Sequence, residues 1–354
     1  MSAVGELERK TQDRIIDLFQ GNLDYDYLGN WEYEPRSSNI EEKLLLQNLK
    51  ARDYDHEVAK RAIYKFKREA SNQSRSLYEN NKEVYKLLRY GVKVRPDVGE
   101  NTVTVWLVDW ANPDANHFAL AEEVTVVGKH NKRPDLVFYL NGIAIGVLEL
   151  KRSTVSIGEG IRQNLDNQQP HFIESFFSTV QIIMAGNDTQ GMRYGVIETP
   201  EKYHLTWKDD PEVSDEVCDK VRSIANDKQE KFDQHLIQMW QKDRLIDLLH
   251  NFIVFDKGVK KICRHNQFYG TKAAQQNVNN HEGGIIWHTQ GSGKSLTMVW
   301  LARWIKENID NSRVLIVTDR DELDKQIEGV FKGVDEQIYR TKSCNDLLEK
   351  LNDY

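Results

Sequence analysis

The segment from Arg133 to Lys151, RPDLVFYLNGIAIGVLELK, constrains the fold more than any other part of this 354-residue chain. Leu136–Leu140 and Ile143–Leu150 are continuous apolar runs rich in β-branched and aromatic residues. They meet at Asn141-Gly142, two residues that tolerate the positive φ of a type I′ turn, so the segment reads as a tight hairpin. Strands without polar alternation are covered on both faces, which calls for helices above and below the sheet. Thr102–Val108, His117–Val127, Val180–Ala185 and Tyr194–Ile197 read as further strands. Glu6–Phe19 has the spacing of an amphipathic helix, Ile40–Tyr90 is helical and charged, and Gly158–Phe177 is helix-like, whereas Gly21–Ser38 reads as loop. The order αββββαβ predicts a mixed-sheet α/β domain over residues 1–207, then a polar helical linker over 208–282.

The ends of the hairpin carry chemistry. Asp135 follows Pro134, and Glu149-Leu150-Lys151 lies 14 residues further on. Glu149 and Lys151 are two apart on a strand and therefore share a face, and the turn brings Asp135 back towards that face. Two carboxylates beside an ammonium make a Mg²⁺ site, with Asp135 and Glu149 as metal ligands. Metal lowers the pKa of bound water, and Lys151 can orient that water or stabilise charge, which suits phosphodiester hydrolysis. E-x-K alone is a common strand alternation. The Pro-Asp, the turn and the preceding strand are what make it specific.

Residues 283–354 form a second pattern. Gly284–Trp287 and Arg313–Thr318 read as buried strands flanking the loop Gly291–Gly293 and a helix over Lys294–Asn308, the opening of a parallel α/β sheet. His288-Thr-Gln-Gly-Ser-Gly-Lys-Ser295 has the parts of an ATP-binding phosphate loop. Gly291, Ser292 and Gly293 allow backbone N–H groups to curl around phosphates, Lys294 reaches the β/γ-phosphates, and Ser295 supplies a hydroxyl for Mg²⁺. The first glycine of the usual pattern is His288 here. Asp335-Glu336 follows no buried strand, so it does not read as the carboxylate pair that orients water in such motors. On sequence alone the chain is expected to bind ATP without hydrolysing it efficiently.

These elements resemble known families. RPD…ELK is similar to the PD-(D/E)xK nuclease motif, and in that fold a further acid often comes from the first helix, which implies Glu8, with Glu6 as runner-up. Gly160–Asn167 resembles the QxxxY element that follows the nuclease core in restriction subunits. That implies a supporting or DNA-contacting role for Gln163, with Asn167 standing where the element has Tyr. HTQGSGKS with Thr318–Ile327 resembles motifs I and Ia of superfamily 2 helicases and translocases, which implies backbone contacts to DNA from Thr318, Asp319 and Arg320. Arg264–Tyr269 resembles the adenine-reading segment, with Gln267 as the base-reading amide. The combination resembles the N-terminal part of the restriction (motor) subunit of type I restriction–modification enzymes. The resemblance implies a nuclease domain followed by the beginning of a RecA-like motor lobe, over 283–354. It further implies ATP-driven translocation, cleavage of unmodified double-stranded DNA, and partnership with methyltransferase and specificity subunits. The alternative is a non-cleaving module that binds ATP and DNA.

Composition bounds these readings. The net charge of −7 excludes a uniformly basic nucleic-acid binder, but only the field at the binding face matters. Between Val58 and Arg95 there are eleven Lys/Arg against three Glu, interleaved with tyrosines. A helical face of this kind can neutralise phosphates, and Lys65, Lys67 and Arg68 are its candidate DNA contacts. Three well-separated cysteines fit neither a disulfide framework nor a zinc site, and the N-terminus has no secretory pattern, so a cytoplasmic setting is expected. No apolar run approaches a membrane span.

Overall fold

The computed structural model describes residues 3–97, 99–334 and 337–352, with side chains from Arg9 onward. It divides into two compact units: Met1–Ile253 with Lys260–His265, and Val254–Val259 with Asn266–Tyr354.

The first unit opens with α1 (Ala3–Leu23) and β1 (Asp26–Asn30). Three helices follow: α2 (Glu42–Ala51), α3 (His56–Ala70) and α4 (Leu77–Tyr90). Asp55 caps α3 by accepting from Glu57 and Val58 N–H, and Ser76 with Glu79 forms a capping box at α4. Each cap satisfies N–H groups that a helix start leaves without partners. The small pair β2 (Val92–Val94) and β3 (Val103–Val105) precedes the main sheet. That sheet adds β4 (Phe118–Glu122), β5 (Leu136–Leu140), β6 (Ile143–Leu150), β7 (Ile182–Asn187) and β8 (Gly191–Gly195), in the order β1-β4-β5-β6-β7-β8. β4, β5 and β6 run antiparallel, while β6 and β7 are parallel, joined across α5 (Ile157–Asn167).

The expected hairpin is present. Asn141 at φ 53° and Gly142 at φ 79° turn β5 into β6, and every residue of both strands is buried. The Asn141 side chain is fully buried and caps the turn region, accepting from His117 N–H and donating to Leu107 O and Asn116 Oδ1. The reading of Gly21–Ser38 as loop is corrected in part, because β1 adds an edge strand parallel to β4. The run at Thr102–Val108 forms only the three-residue β3, outside the main sheet.

Side chains alternate across the sheet as its period demands. Val137, Tyr139 and Val147 face one layer with Phe176, Phe177 and Val180. Phe138 faces the other, in a tilted contact with Phe19 of α1 at a ring separation of 4.7 Å. That second face is also covered by α7 (Lys231–Trp240), against which α6 (Glu216–Ala225) and α8 (Lys242–Asn251) pack. Trp240 lies 4.3 Å from Phe138 by ring centroids. Residues 208–251 therefore belong to the first unit rather than to a linker, because their apolar faces are core. Phe232, Leu236, Ile237 and Trp240 are wholly buried.

The second unit contains α9 (His265–Asn279), α10 (Lys294–Asn308), α11 (Asp321–Gly333) and α12 (Cys344–Asn352). Two strand expectations fail here. Gly284–Trp287 and Arg313–Thr318 form no ladder, and no strand occurs among described residues 266–352. Ile285, Trp287 and Val317 are 88%, 90% and 82% exposed. An apolar run records a tendency to be buried, but a strand also needs a neighbour to take up its N–H and C=O groups. Among the described residues neither run is paired in such a ladder.

Candidate functional site

The β5–β6 register determines how the first site is assembled. Leu136 pairs with Leu148, so Asp135 and Glu149 stand opposite each other just beyond the last pair, on the face shared by Val137 and Val147. Asp135 Oδ2 accepts from Leu150 N–H at 2.6 Å, which pins that carboxylate to the end of β6. Lys151 follows, half-buried, and its Nζ donates to Leu150 O at 2.8 Å. Asp135, Glu149 and Lys151 are thus gathered at one end of the hairpin.

Glu149 is completely buried, and among the described residues no cation hydrogen-bonds its carboxylate. Its two donors are neutral amides from α5: Gln163 Nε2 to Oε2 at 2.5 Å and Asn167 Nδ2 to Oε1 at 3.3 Å. Burial first, and the charge of Asp135 second, raise the Glu149 carboxyl well above its ordinary pKa, and Lys151 opposes this. Two adjacent acids, one of them without solvent, form an oxygen donor set that a proton or a hard divalent cation would relieve. The residues therefore fit Mg²⁺. Helix α5 can come this close because of Gly160, where a Cβ would sit 3.0 Å from Ala185 Cβ and 3.5 Å from Glu149 Cβ.

The Glu8 side chain, like that of Glu6, lies outside the described residues, although its backbone is in α1. One turn later the buried Gln12 reaches the end of β4, where its Nε2 donates to Glu122 Oε2 at 2.8 Å and Glu123 Oε1 at 3.3 Å. Glu122 is 1% exposed and takes four further hydrogen bonds, two from Arg9 and one each from Tyr27 and Asn30. Sequence reading misses this hub. Its one visible signal is an acid pair, Glu122-Glu123, closing an otherwise apolar strand. Glu123 adopts φ 50° and its N–H donates to Asp135 O at 2.8 Å, so the two strand ends are tied together.

In the second unit, Gly291 at φ 78° and Gly293 at φ 85° curl the loop ahead of α10. A Cβ on Gly293 would lie 2.3 Å from Gln267 Nε2, which donates to Gly293 O at 3.0 Å. The structure therefore brings Gln267 of α9 to the loop, as the sequence order implies. Lys294 Nζ donates to His288 O and Thr289 O at 3.1 and 3.0 Å, and the buried Ser292 hydroxyl has no hydrogen-bond partner. A glycine-walled cradle with an orphaned hydroxyl and a lysine at its mouth fits a phosphate chain. Ser295 is half-buried in the first turn of α10. Thr318 is half-buried, and Arg320 is exposed beside Asp319. Asp335 and Glu336 lie outside the described residues.

The basic helix α3 is less open than its composition suggests. Lys65 Nζ donates to Lys93 O at 2.7 Å, Lys67 pairs with Glu42, and Arg68 contacts Glu69 at 3.4 Å. Arg68 is nevertheless 63% exposed along its side chain.

The first unit is thus a helix-covered mixed-sheet domain of nuclease type, with an acid pair and a lysine at the end of its central hairpin. Type I restriction enzyme R protein N terminus is the family that matches residues 6–202, and the chain belongs to it. The SWI2/SNF2 ATPase family matches residues 266–354. Among the relatives is the putative type I restriction enzyme MjaIXP endonuclease subunit of Methanocaldococcus jannaschii, 29% identical over 75% of this chain and 28% of that protein. The type I restriction enzyme HindI endonuclease subunit of Haemophilus influenzae is 29% identical over 75% of this chain and 26% of that protein. The chain spans little more than a quarter of the length of these relatives.

Proposed function

We propose that this chain carries the DNA-cleaving centre and the nucleotide-binding loop of a type I restriction enzyme. In this reading it acts in the cytoplasm with methyltransferase and specificity subunits on unmodified double-stranded DNA. ATP-driven translocation is coupled to metal-dependent phosphodiester hydrolysis, which makes the enzyme a type I site-specific deoxyribonuclease. No helix among the described residues is long and apolar enough to cross a membrane.

The observation that carries the reading is the convergence of Asp135, Glu149 and Lys151 at one end of the hairpin, with Glu149 wholly buried, held by two amides of α5 and facing Asp135. Asp135 and Glu149 would hold Mg²⁺, which when bound supplies a water of lowered pKa and positive charge against the scissile phosphate. Lys151 places an ammonium at the same strand end, where it can orient the attacking water or stabilise the charge that develops on phosphate. Gln163 supports Glu149, and Glu8 would add a further acid from α1. Gly291, Ser292, Gly293, Lys294 and Ser295 would cradle the phosphates of ATP, with Gln267 beside the loop. Thr318 and Arg320 would contact the DNA backbone, and Lys65, Lys67 and Arg68 would add phosphate contacts.

The test uses the complete enzyme. Lys151→Ala and Asp135→Asn should each lower DNA cleavage by on the order of 100-fold or more while leaving ATP hydrolysis in place. Lys294→Ala should abolish ATP hydrolysis and, because cleavage is coupled to translocation in this reading, cleavage with it. Full cleavage by Asp135→Asn would overturn the assignment in favour of a non-cleaving module.

A further inference from the structure

Asn167 stands where the QxxxY element has Tyr, and it cannot stack as an aromatic ring does. It is the last residue of α5 and is 1% exposed. Its Nδ2 donates to Glu149 Oε1 at 3.3 Å, while Gln163, one turn earlier, donates to the other oxygen at 2.5 Å. The i, i+4 spacing places both amides on one helix face, and Gly160 keeps that face against β6 and β7.

We infer that Asn167 is a positioning residue for Glu149: with Gln163 it forms a two-amide clamp that fixes the carboxylate plane in readiness for a divalent cation. The inference rests on the proposed reading of Glu149 as a metal ligand.

Three points support it. The terminal torsion of a glutamate is broad, so backbone and rotamer alone leave the carboxylate free to rotate; donors on both oxygens remove that freedom. An amide is a neutral donor, so the clamp orients the carboxylate without cancelling the charge a cation needs, as an Arg or Lys would. Finally, Asn167 Oδ1 is buried without a hydrogen-bond partner. Only the donor end of this side chain is engaged, and it is engaged by Glu149. Groups that orient metal ligands in this way typically contribute about 10- to 100-fold in metal affinity or activity.

The experiment measures Mn²⁺ binding to the assembled enzyme by electron paramagnetic resonance, without nucleotide or DNA. It is paired with the metal concentration that half-saturates cleavage and with metal-free thermal unfolding. Asn167→Leu keeps the γ-branched outline, with somewhat more bulk, and removes the donor, and Asn167→Gln keeps a donor on a longer arm. The expected result for Asn167→Leu is Mn²⁺ binding about tenfold weaker, cleavage recovered at saturating metal, and a metal-free unfolding midpoint close to wild type. Asn167→Gln should recover part of the affinity. Unchanged Mn²⁺ affinity in Asn167→Leu would overturn the clamp, as would equal losses of affinity in the Leu and Gln variants that track their unfolding midpoints. Glu149→Gln separates the two levels. If it binds Mn²⁺ like wild type, the metal-ligand reading itself fails, and the clamp with it; if it loses binding while Asn167→Leu does not, only the clamp fails.

Discussion

At the scale of single residues, polar groups buried in the first unit are held by geometry that pH can probe. His235 on α7 accepts the Met192 N–H at Nδ1, 3.2 Å away, which requires a neutral ring. Burial, aided by Lys231, lowers its pKa to about 4. The unfolded chain binds a proton near the ordinary value of about 6.5 while the folded one does not, so stability rises with pH through that window and is lost as pH falls from about 6.5 towards 4. The loss should be on the order of 2 kcal/mol by pH 4. His235→Gln should flatten the unfolding midpoint against pH over that interval; an unchanged slope would remove His235 as its source. Asp135, Glu149 and Lys151 were legible because strand parity and one tight turn dictate their meeting. The contacts of Glu149 with Gln163 and Asn167, 14 and 18 residues further along the chain, were not, since they depend on how closely a helix docks on the strand and not on pattern. The bond from Gln12 to Glu122 was hidden for the same reason, as it joins the first helix to a strand over a hundred residues later.

At the scale of elements, close approach is permitted by missing side chains. The Trp240 ring covers Gly146 so closely that a Cβ there would come within 2.3 Å of it. Gly146→Ala should cost about 1–3 kcal/mol through overpacking, read in denaturant midpoints. Gly160 does the same for α5. Gly160→Val should push that helix outward, carrying Gln163 and Asn167 away from Glu149. Cleavage should then fall far more than thermal stability does, whereas Gly146→Ala should lower stability and spare the rate at temperatures where the protein stays folded. The sequence showed β4 to β7 of the main sheet well, because their runs are apolar and bounded by turns, but not the short edge strand β1. It misjudged 284–287 and 313–318, where the apolar pattern is equally clear. Periodicity reports which side chains avoid water, whereas ladder formation depends on a partner at no fixed distance along the chain.

At the scale of the whole molecule, the boundary of the first unit decides what can fold. The composition of residues 208–251, polar with scattered aromatics, reads as a linker. Their apolar residues nevertheless fall on one helix face each, and the sheet receives them. Phe232, Leu236, Ile237, Met239 and Trp240 are all fully buried. At about 2 kcal/mol for each such side chain removed from water, the five together contribute on the order of 10 kcal/mol, as much as the entire net stability of an ordinary domain. Phe138 and Gly146, at the centre of the hairpin that presents Asp135 and Glu149, lie beneath them. A piece ending at Trp207 would leave that face covered by α1 alone, so it should be insoluble or lack a cooperative unfolding transition. A piece ending at His265 retains α6, α7 and α8, and should unfold in a single transition by circular dichroism. Cooperative unfolding of the 1–207 piece with near-native stability would show instead that α6–α8 are an appendage to the sheet and not a layer of its core.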